Sequence, residues 1–476
     1  MKKSKFLENE LEVDLTGGKF GSVKIIAENF IADDLPRFPT MAIILAAGRG
    51  RRQKNNGVSK PLIPLLGLSL IERIILTTKK SGIEKFLIVL GYNGEKIKRY
   101  LGTGHKLGVR IDYVFNDEWE KGNGISVLKA RDLVPHSFIL LMADHLFDYK
   151  ILTELREISL ERDECVLCVD RNHHKYLDVH DATKVVIKDG KITDIEKRLS
   201  EHNGIDTGIF LCTPAIFDAI DESIANGNDN LSGGIRILAN SAKMRALDIS
   251  DKYWIDVDHD KALKNAKSLL LEQLEKDTDG PISKIFNRPI STRISELLVK
   301  TRITPNRISL LTFTIGVLAG LFFCAAEYLY LVIGGILTQF SSIIDGCDGE
   351  IARLKFEETQ YGGWYDAVLD RYADALIIFG MIQGHWILNH DILIWTVGFA
   401  ALMGTFLNSY TAGKYDSLFR KKMSSGFKIR IGRDVRLLLI FVGALSNQIF
   451  LALAILAIMT NFESIRRLVL LRPKYV

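Results

Sequence analysis

Cysteine is scarce and scattered in this chain, at Cys165, Cys168, Cys212, Cys324 and Cys347. Cys165 and Cys168 have C-x2-C spacing, yet no second pair and no nearby histidine completes a zinc site. Both lie in the apolar run Cys-Val-Leu-Cys-Val, which predicts a strand, so they read as core thiols of a reducing compartment. An excess of one charge is also lacking. The 62 lysines and arginines against 57 aspartates and glutamates leave +5. No basic stripe interleaved with aromatics is present, which sets nucleic acid aside as a partner. Met1-Lys-Lys-Ser-Lys is not followed by an apolar run, so no signal peptide is expected.

What the chain does have is a sharp change of composition. The first 300 residues or so alternate apolar and charged runs as soluble α/β proteins do, whereas apolar stretches of about 20 residues follow from Ile308. The mean hydropathy of +0.11 averages the two. The expected organisation is an extension without motifs (1–40), an α/β domain (41–275), a linker with an interfacial helix (276–303) and a membrane domain (304–476). In the linker, Asp277-Thr-Asp-Gly280-Pro281 is a break. After it Ile282, Ile285, Phe286, Ile290, Ile294, Leu297 and Leu298 form a stripe among Lys284, Arg288, Arg293 and Lys300. That pattern predicts an amphipathic helix at the membrane surface, with Pro289 a potential kink; a buried helix joining the domains is the alternative.

Six spans are expected, near 308–326, 328–352, 362–387, 391–413, 435–447 and 448–465, the last two short. The turns near Glu327, Asn389 and Asn447 carry no Lys or Arg. The other side carries Arg353, Lys355, the cluster Lys414 to Arg436, and Arg466, Arg467, Arg472 and Lys474. This asymmetry predicts both termini in the cytoplasm of a multi-pass cell-membrane protein.

Within the apolar part stands Asp345-Gly-Cys-Asp348-Gly349-Glu-Ile-Ala352-Arg353, then Gly362, Asp366 and Asp370. Asp345 and Asp348 are i,i+3 and Asp366 and Asp370 are i,i+4, so each pair shares a helix face. Carboxylates are costly inside a membrane and mark a wet or protein-lined site that carries function. Converging hard oxygens suit Mg²⁺, Mn²⁺ or Ca²⁺ bound with a phosphate. The plain alternative pairs them with Arg353 and Arg371. The basic loop up to Arg433 and Arg436 reads either as the inside-positive signal or as a pocket for an acceptor phosphate; Asp374 extends the second face and reads as a partner for a nearby cation.

In the α/β part, the buried-strand pattern Met41–Ala47 runs into Gly48-Arg49-Gly50-Arg51-Arg52, with Lys60-Pro61 beyond. Glycines after a strand let backbone N–H groups approach phosphates, and arginines add charge-assisted contacts. Further strands are expected at Phe86–Leu90, Ile111–Phe115 and Phe138–Ala143, a doubly wound plan that places Asp144 at a strand's carboxyl end, where ligands bind.

These residues carry two resemblances. The spacing from Asp345 to Asp370 is the signature D-x2-D-G-x2-A-R-x8-G-x3-D-x3-D of the CDP-alcohol phosphotransferases, complete in this chain. The resemblance implies a six-helix transmembrane fold, usually homodimeric, with two ions. Asp345, Asp348, Asp366 and Asp370 would hold the metal, and Asp370 would act as general base. Gly349, Ala352, Arg353 and Gly362 would lie along the CDP moiety. Thr304-Pro305-Asn306 resembles a feature ahead of the first span in that family.

A-A-G-x-G-x-R with a later Lys-Pro resembles the nucleotidyltransferases of the sugar-phosphate and choline-phosphate type, over approximately 41–275. This implies Gly48, Gly50, Arg52 and Lys60 on the nucleotide and a catalytic Lys60. Asp144 would bind Mg²⁺ (or Mn²⁺) with Asp258, which aligns best, or Asp256 in reserve. His259-Asp260-Lys261 departs from the commoner Thr-Pro-Glu-like run. Gly122-Asn123-Gly124 resembles the nucleobase loop of cytidylyltransferases. Met142-Ala-Asp144-His145, Ala182-Thr-Lys184-Val and Ile205-Asp206-Thr-Gly208 resemble the inositol-1-phosphate branch, with Lys184 and Asp206 on the inositol phosphate.

Together the chain resembles the family of bifunctional inositol-1-phosphate cytidylyltransferases and di-myo-inositol-phosphate-phosphate synthases. That implies CTP, a CDP-alcohol and a polyol phosphate as substrates, and a lipid bilayer as surroundings. The alternative is a CDP-alcohol-dependent phospholipid synthase fused to a cytidylyltransferase of other specificity or to a nucleotide-binding sensor.

Overall fold

The computed structural model describes residues 39–50, 59–134, 136–161, 163–172, 182–275, 279–418 and 431–470. Most of the 1–40 stretch, Arg52, Lys421 to Arg430, Arg472 and Lys474 lie outside the described residues.

Runs such as Met-Ala-Ile-Ile-Leu-Ala are apolar at every position because successive side chains enter opposite faces of a sheet covered on both sides. The strands are β1 (Met41–Ala46), β2 (Pro64–Leu65), β3 (Leu68–Ser69), β4 (Lys85–Leu90), β5 (Arg110–Phe115), β6 (Phe138–Met142), β7 (His145–Phe147), β8 (Cys165–Asp170), β9 (Lys184–Lys188), β10 (Lys191–Glu196), β11 (Gly204–Cys212), β12 (Met244–Asp248) and β13 (Trp254–Asp256). Helices α1 (Leu70–Lys80), α2 (Gly94–Leu101), α3 (Asn123–Leu128), α4 (Tyr149–Glu157), α5 (Ala215–Ala225), α6 (Leu231–Asn240) and α7 (Asp260–Glu272) run between them. Nine strands make one sheet in the order β5-β4-β1-β6-β11-β8-β12-β10-β9. β5, β4, β1 and β6 are parallel, and β11 runs antiparallel to both β6 and β8. Ala42, Ile44 and Ala46 enter one apolar core, and Ile43 and Leu45 the other. Cys165, Cys168 and Cys212 are buried free thiols in this sheet, as a core role requires.

After the soluble part come a π turn (Ser283–Asn287) and α8 (Arg288–Leu298). Pro289 is the second residue of α8, and the helical backbone runs through it from Pro281 with the π turn immediately before it. The polar residues Asn287, Ser291 and Ser295, four apart, are buried, while Ile285, Phe286, Ile290 and Leu297 are exposed. This is an inside-out amphipathic pattern, explained by what lies beneath it. Asn287 donates to Ser342 Oγ (3.0 Å), Gln339 donates to Asn287 Oδ1 (3.0 Å), and Ser291 donates to Glu350 (2.6 Å).

The helices that follow are α9 (Pro305–Cys324), α10 (Tyr328–Lys355), α11 (Gln360–Asn389), α12 (Leu393–Leu418), α13 (Arg433–Leu445) and α14 (Ile449–Leu470). Among the described residues, four are long and apolar enough to cross a membrane: α9, α10, α12 over Leu393–Tyr415, and α14 over Ile449–Val469. The first half of α11 carries Asp366, Asp370, Arg371 and Asp374. α13 has 13 residues, about 20 Å of rise against roughly 30 Å of hydrocarbon. Among the described residues before 280, the large apolar side chains left widely exposed are Tyr100 and Leu133, whereas the helices beyond expose many, Leu321, Trp364, Phe399 and Ile458 among them. Such a surface suggests a membrane-associated protein.

Small residues hold these helices close. Gly316 and Gly320 of α9 face α11, where a Cβ on Gly380 would fall on the Gly320 carbonyl oxygen and one on Gly384 on that of Phe323. Gly380→Val is therefore expected to lower the thermal midpoint of the helical part in detergent, with overpacking of about 1–3 kcal/mol. A melt followed by tryptophan fluorescence checks this, because all but Trp119 and Trp254 of the five tryptophans lie in that part.

Candidate active sites

In the soluble part, β1 delivers the chain to Gly48 and Gly50 at its carboxyl end. Gly50 has φ +64°, a left-handed conformation, and a Cβ there would lie 3.0 Å from Lys60 Cβ. Asp144 follows β6. The ribbon β7–β13 then sets His145 directly opposite Asp256, and Val257 N–H donates to the Asp144 carbonyl (3.0 Å). Asp144, His145 and Asp256 consequently turn ligand atoms to a common point, all within 4.8 Å of one another. Lys60 Nζ lies 2.5 Å from Asp144 Oδ2 and 3.9 Å from Asp256 Oδ1. Burial alone would lower the Lys60 pKa, but Asp144, Asp256 and Asp258 outweigh it and hold it above the usual value. Burial pushes the Asp144 carboxyl up, yet Lys60 and His145 bring it below its usual range.

A cavity of about 810 Å³ opens over these groups, lined also by Gly50, Gly122, Asn123, Asp206 and Asp258. Asp258 lines the same cavity, 3.3 Å from His259 Nδ1, and the ligand atoms within 4.8 Å of one another are those of Asp144, His145 and Asp256. Asp206 is pushed up to about 6 by burial, against the Gly208 N–H and His145. Its neighbours Ala182 and Thr183 line the cavity; Lys184, at the start of β9, is half-buried and is not among the lining residues. Gly122 N–H donates to Asp229 Oδ2 (2.9 Å), Gly124 N–H to the Asp229 carbonyl (3.1 Å), and Asn123 Oδ1 accepts from Leu231 N–H (2.9 Å). A Cβ on Gly122 would collide with Asp229. Gly48 has open space around it.

In the helical part, α10 and α11 bring Asp345, Asp366 and Asp370 within 4.8 Å of one another; the i,i+4 spacing puts Asp366 and Asp370 on one face of α11, and the approach of Asp345 comes from the packing of α10. Asp348 stands beside them and accepts from Ser309 Oγ (2.5 Å). Arg433 enters from α13, its Nη1 2.9 Å from Asp345 Oδ1 and 2.7 Å from Asp370 Oδ1, and its Nε 3.0 Å from Asp374. A guanidinium so placed stands in for a cation between metal-type carboxylates, and the donor set of hard oxygens fits a divalent ion. Arg371 reaches Asp370 Oδ2 (3.5 Å). Asp374 is paired with Arg433 and Arg436, the partner role its position predicts. Arg436 also donates to the Thr405 carbonyl (2.9 Å) and does not line the cavity.

That cavity, about 220 Å³, is walled by Asp345, Asp348, Gly349, Arg353, Asp366 and Arg433 on one side. The other wall is one that motif reading misses: Asp279, Ser283, Asn287, Arg288 and Ser291 of the linker. Arg288 is held by both oxygens of Asp279 (2.9 Å) and by Glu350 (2.5 Å). The four-residue recurrence of Asn287, Ser291 and Ser295 was the available signal. Arg353 donates to the Leu274 carbonyl (3.1 Å). Ala352 is buried in α10, and Gly362 donates its N–H to the Thr359 cap (2.9 Å), where a Cβ would come within 3.3 Å of Asn306 Oδ1.

Comparison with known proteins follows the same division. Residues 41–273 match the nucleotidyl transferase family and residues 302–462 the CDP-alcohol phosphatidyltransferase family. A "Bifunctional IPC transferase and DIPP synthase" of Rubrobacter xylanophilus is 34% identical over 437 residues, 90% of this chain and 96% of that protein. The chain belongs to this family. One of the same name from Aquifex aeolicus is 32% identical over 441 residues, 91% of this chain and 98% of that protein. The solved inositol-1-phosphate CTP transferase from T. maritima is 25% identical and covers 49% of this chain and 95% of that one, with a TM-score of 0.44. As a member of the bifunctional IPC transferase and DIPP synthase family, the protein is an enzyme with a nucleotidyltransferase part and a CDP-alcohol phosphotransferase part, and both kinds generally use divalent metal ions.

The clamp of Asp229 on the Gly122–Gly124 loop makes a specific expectation. Gly122→Ala displaces that loop by the depth of one methyl group, and kcat/KM for CTP should fall about 10²-fold while transfer from supplied CDP-alcohol is unchanged. Steady-state kinetics of each half-reaction read this directly.

Proposed function

We propose that the soluble part joins CTP to inositol 1-phosphate, giving CDP-inositol and pyrophosphate. The helical part then transfers inositol phosphate from CDP-inositol to a second inositol 1-phosphate, releasing CMP. The observation that carries this reading is the coexistence of two separate acidic cavities in one chain whose relatives, named for two activities, match it along about nine-tenths of its length.

In the first reaction the phosphate oxygen of inositol 1-phosphate attacks the α-phosphorus of CTP, and the bond to pyrophosphate breaks. Backbone N–H groups at Gly48 and Gly50 and the side chain of Arg52 bind the triphosphate. Lys60, kept protonated by its carboxylate neighbours, offsets charge developing on the phosphorus. Gly122, Asn123 and Gly124 receive the base; Asp206, with Lys184, orients the inositol phosphate. Asp144 with Asp256, or with Asp258, would hold a divalent ion, which when bound supplies charge on the α-phosphate and on the departing pyrophosphate.

In the second reaction an acceptor hydroxyl attacks the β-phosphorus of CDP-inositol, the bond to CMP breaks, and the proton passes to Asp370. Asp345, Asp348, Asp366 and Asp370 would hold two ions, Mg²⁺ or Mn²⁺ with Ca²⁺ a further candidate; these supply charge to the diphosphate when bound. Gly349, Ala352, Arg353 and Gly362 follow the CDP moiety. Arg433 binds the acceptor's phosphate, and Arg436 positions Arg433 through their shared Asp374.

The domains run 41–275 and 304–476, with 276–303 between them and 1–40 ahead. α9 to α14 form a six-helix transmembrane unit, a homodimer in the bilayer, with the exposed apolar face of α8 on the membrane surface and both termini in the cytoplasm. What supports the placement is the Lys/Arg asymmetry of the loops and the apolar exposure of the helices.

Three experiments test this. Lys60→Ala should abolish CDP-inositol synthesis and leave transfer largely intact, and Asp370→Asn should do the reverse; loss of both activities by either variant in folded protein rejects two separate sites. Labelled CDP-inositol offered to inositol 1-phosphate, free inositol and diacylglycerol together should label inositol 1-phosphate; a lipid product establishes the phospholipid-synthase alternative. For the topology, in a background lacking native cysteines, Asn389→Cys should be labelled from outside intact cells by an impermeant maleimide, and Lys300→Cys should not.

A further inference from the structure

His145 has no part in the chemistry above, yet its ring is held by contacts from several elements. Its Nδ1 lies 2.8 Å from the Thr207 carbonyl oxygen. A carbonyl only accepts, so Nδ1 must carry a hydrogen and donate it. Metal binding displaces the proton from the other nitrogen, which leaves the lone pair on Nε2. That atom is 3.7 Å from Asp144 Oδ1 and 3.5 Å from Asp256 Oδ1. The two carboxylates divide their oxygens in a consistent way. Asp144 gives Oδ2 to Lys60 and turns Oδ1 to the imidazole. Asp256 Oδ1 is buried without a hydrogen-bond partner and points to the same place.

The ring's position is built in from three sides. Its cross-strand partner in the β7–β13 ribbon is Asp256 itself. Gly208, at φ +69°, leaves the space the imidazole fills, since a Cβ there would fall on its Nδ1. The Trp254 ring lies tilted at 6.1 Å. An imidazole whose far nitrogen donates to a backbone carbonyl while the near one faces two carboxylate oxygens is the usual setting of a metal-binding histidine, in which the outer hydrogen bond fixes the tautomer and the ring plane.

We infer that His145 Nε2 is a third protein ligand, with Asp144 and Asp256, for the divalent ion of the soluble site, and that this site takes a first-row transition cation such as Mn²⁺ or Co²⁺ in preference to Mg²⁺. The preference follows from ligand chemistry: Mg²⁺ takes oxygen and keeps its waters, whereas an imidazole nitrogen adds affinity for transition ions, more for Co²⁺ than for Mn²⁺. The inference rests on the reading of this cavity as a metal-dependent nucleotidyl-transfer site and gives that site its cofactor class. By the same donor chemistry, the all-carboxylate site in the helices has no such preference.

The test uses the full-length protein in detergent, carrying Asp366→Asn and Asp370→Asn to silence the helical site, stripped with EDTA and given one equivalent of Mn²⁺. Electron spin-echo envelope modulation is expected to show ¹⁴N coupling of a directly bound imidazole. His145→Asn keeps a donor for the Thr207 carbonyl and removes Nε2; it should abolish the coupling and raise the Mn²⁺ Kd at least about 10-fold, with a smaller change for Mg²⁺. Asp144→Asn should weaken Mn²⁺ binding too, which locates the signal. Mn²⁺ bound in an Asp144-dependent way without ¹⁴N modulation overturns the inference, as does modulation that survives in His145→Asn, or no Mn²⁺ binding at all. The unsubstituted-His145 spectrum decides even if the variant fails to fold. If the nitrogen-coupled ion is present but CTP-dependent pyrophosphate release is not, the nucleotidyl-transfer reading fails and the ligand assignment stands.

Discussion

Burying carboxylates in an apolar helix bundle is the constraint on which the C-terminal half depends. Asp345, Asp348, Asp366, Asp370 and Asp374 project from α10 and α11 into one region, and the guanidinium groups that contact them from α13 are Arg433 and Arg436. Counting Arg371 of α11, which reaches Asp370, three guanidinium groups face five carboxylates among the described residues, and the remaining surplus of negative charge is tolerated in a low-dielectric interior only with further cations or protons. That surplus is a reason to expect metal here, independent of any motif. The start of α13 places the Arg433 cation among the carboxylates, and Asp434 beside it accepts from Ser283 N–H (2.8 Å), which ties the linker to the same point.

The junction between the two halves follows from the length of α10. Its 28 residues rise about 42 Å, beyond the roughly 30 Å of a hydrocarbon layer, and the excess enters the soluble part. Leu354, near the end of α10, and Val299, just after α8, belong to the same apolar core as Ile44 and Ile88 of the sheet. Lys355 caps the turn by donating to the carbonyls of Thr301 (2.9 Å) and Ile303 (2.8 Å). The helix that carries Asp345 and Asp348 is thereby anchored in the nucleotidyltransferase core, and the linker wall of the small cavity is held through Arg288 and the fully buried Glu350. Movement of one half relative to the other would have to break this core.

Much of this was legible in the chain itself, for a physical reason. Carboxylate spacing on a helix translates directly into a shared face, so Asp345 with Asp348, and Asp366 with Asp370, could be paired without coordinates, and the full spacing signature joined the two pairs. Apolar runs likewise announced β1, β4, β5 and β6. What escaped were contacts between elements distant in sequence. The composition around Arg433 and Arg436 gave no means of telling which would reach the carboxylates and which would turn to Thr405. Asp256 and Asp258 are two residues apart, and only the pairing of β13 with β7, which runs as far as Asp256, decides which one stands opposite His145. The linker stripe was read correctly as amphipathic, but its polar face meets α10 rather than water, because α10 presents Ser342, Gln339 and Glu350 there.

The two sites solve the same problem with different periodicities. On α11, residues four apart share a face, so one helix supplies Asp366, Asp370 and Asp374 in succession and needs a second helix only for Asp345. A strand cannot do this, because neighbours point to opposite faces and residues two apart are separated by nearly 7 Å. The soluble site therefore gathers its groups across strands: Asp144 from the end of β6, His145 from β7 and Asp256 from β13, with Lys60 brought in by a separate turn. Such a cluster exists only once the sheet and the ribbon are both formed. The helical cluster begins with local geometry and asks of tertiary structure the approach of α10 and the arrival of Arg433. For the same reason a spacing signature can describe the second site almost completely, while the first is defined by pairing.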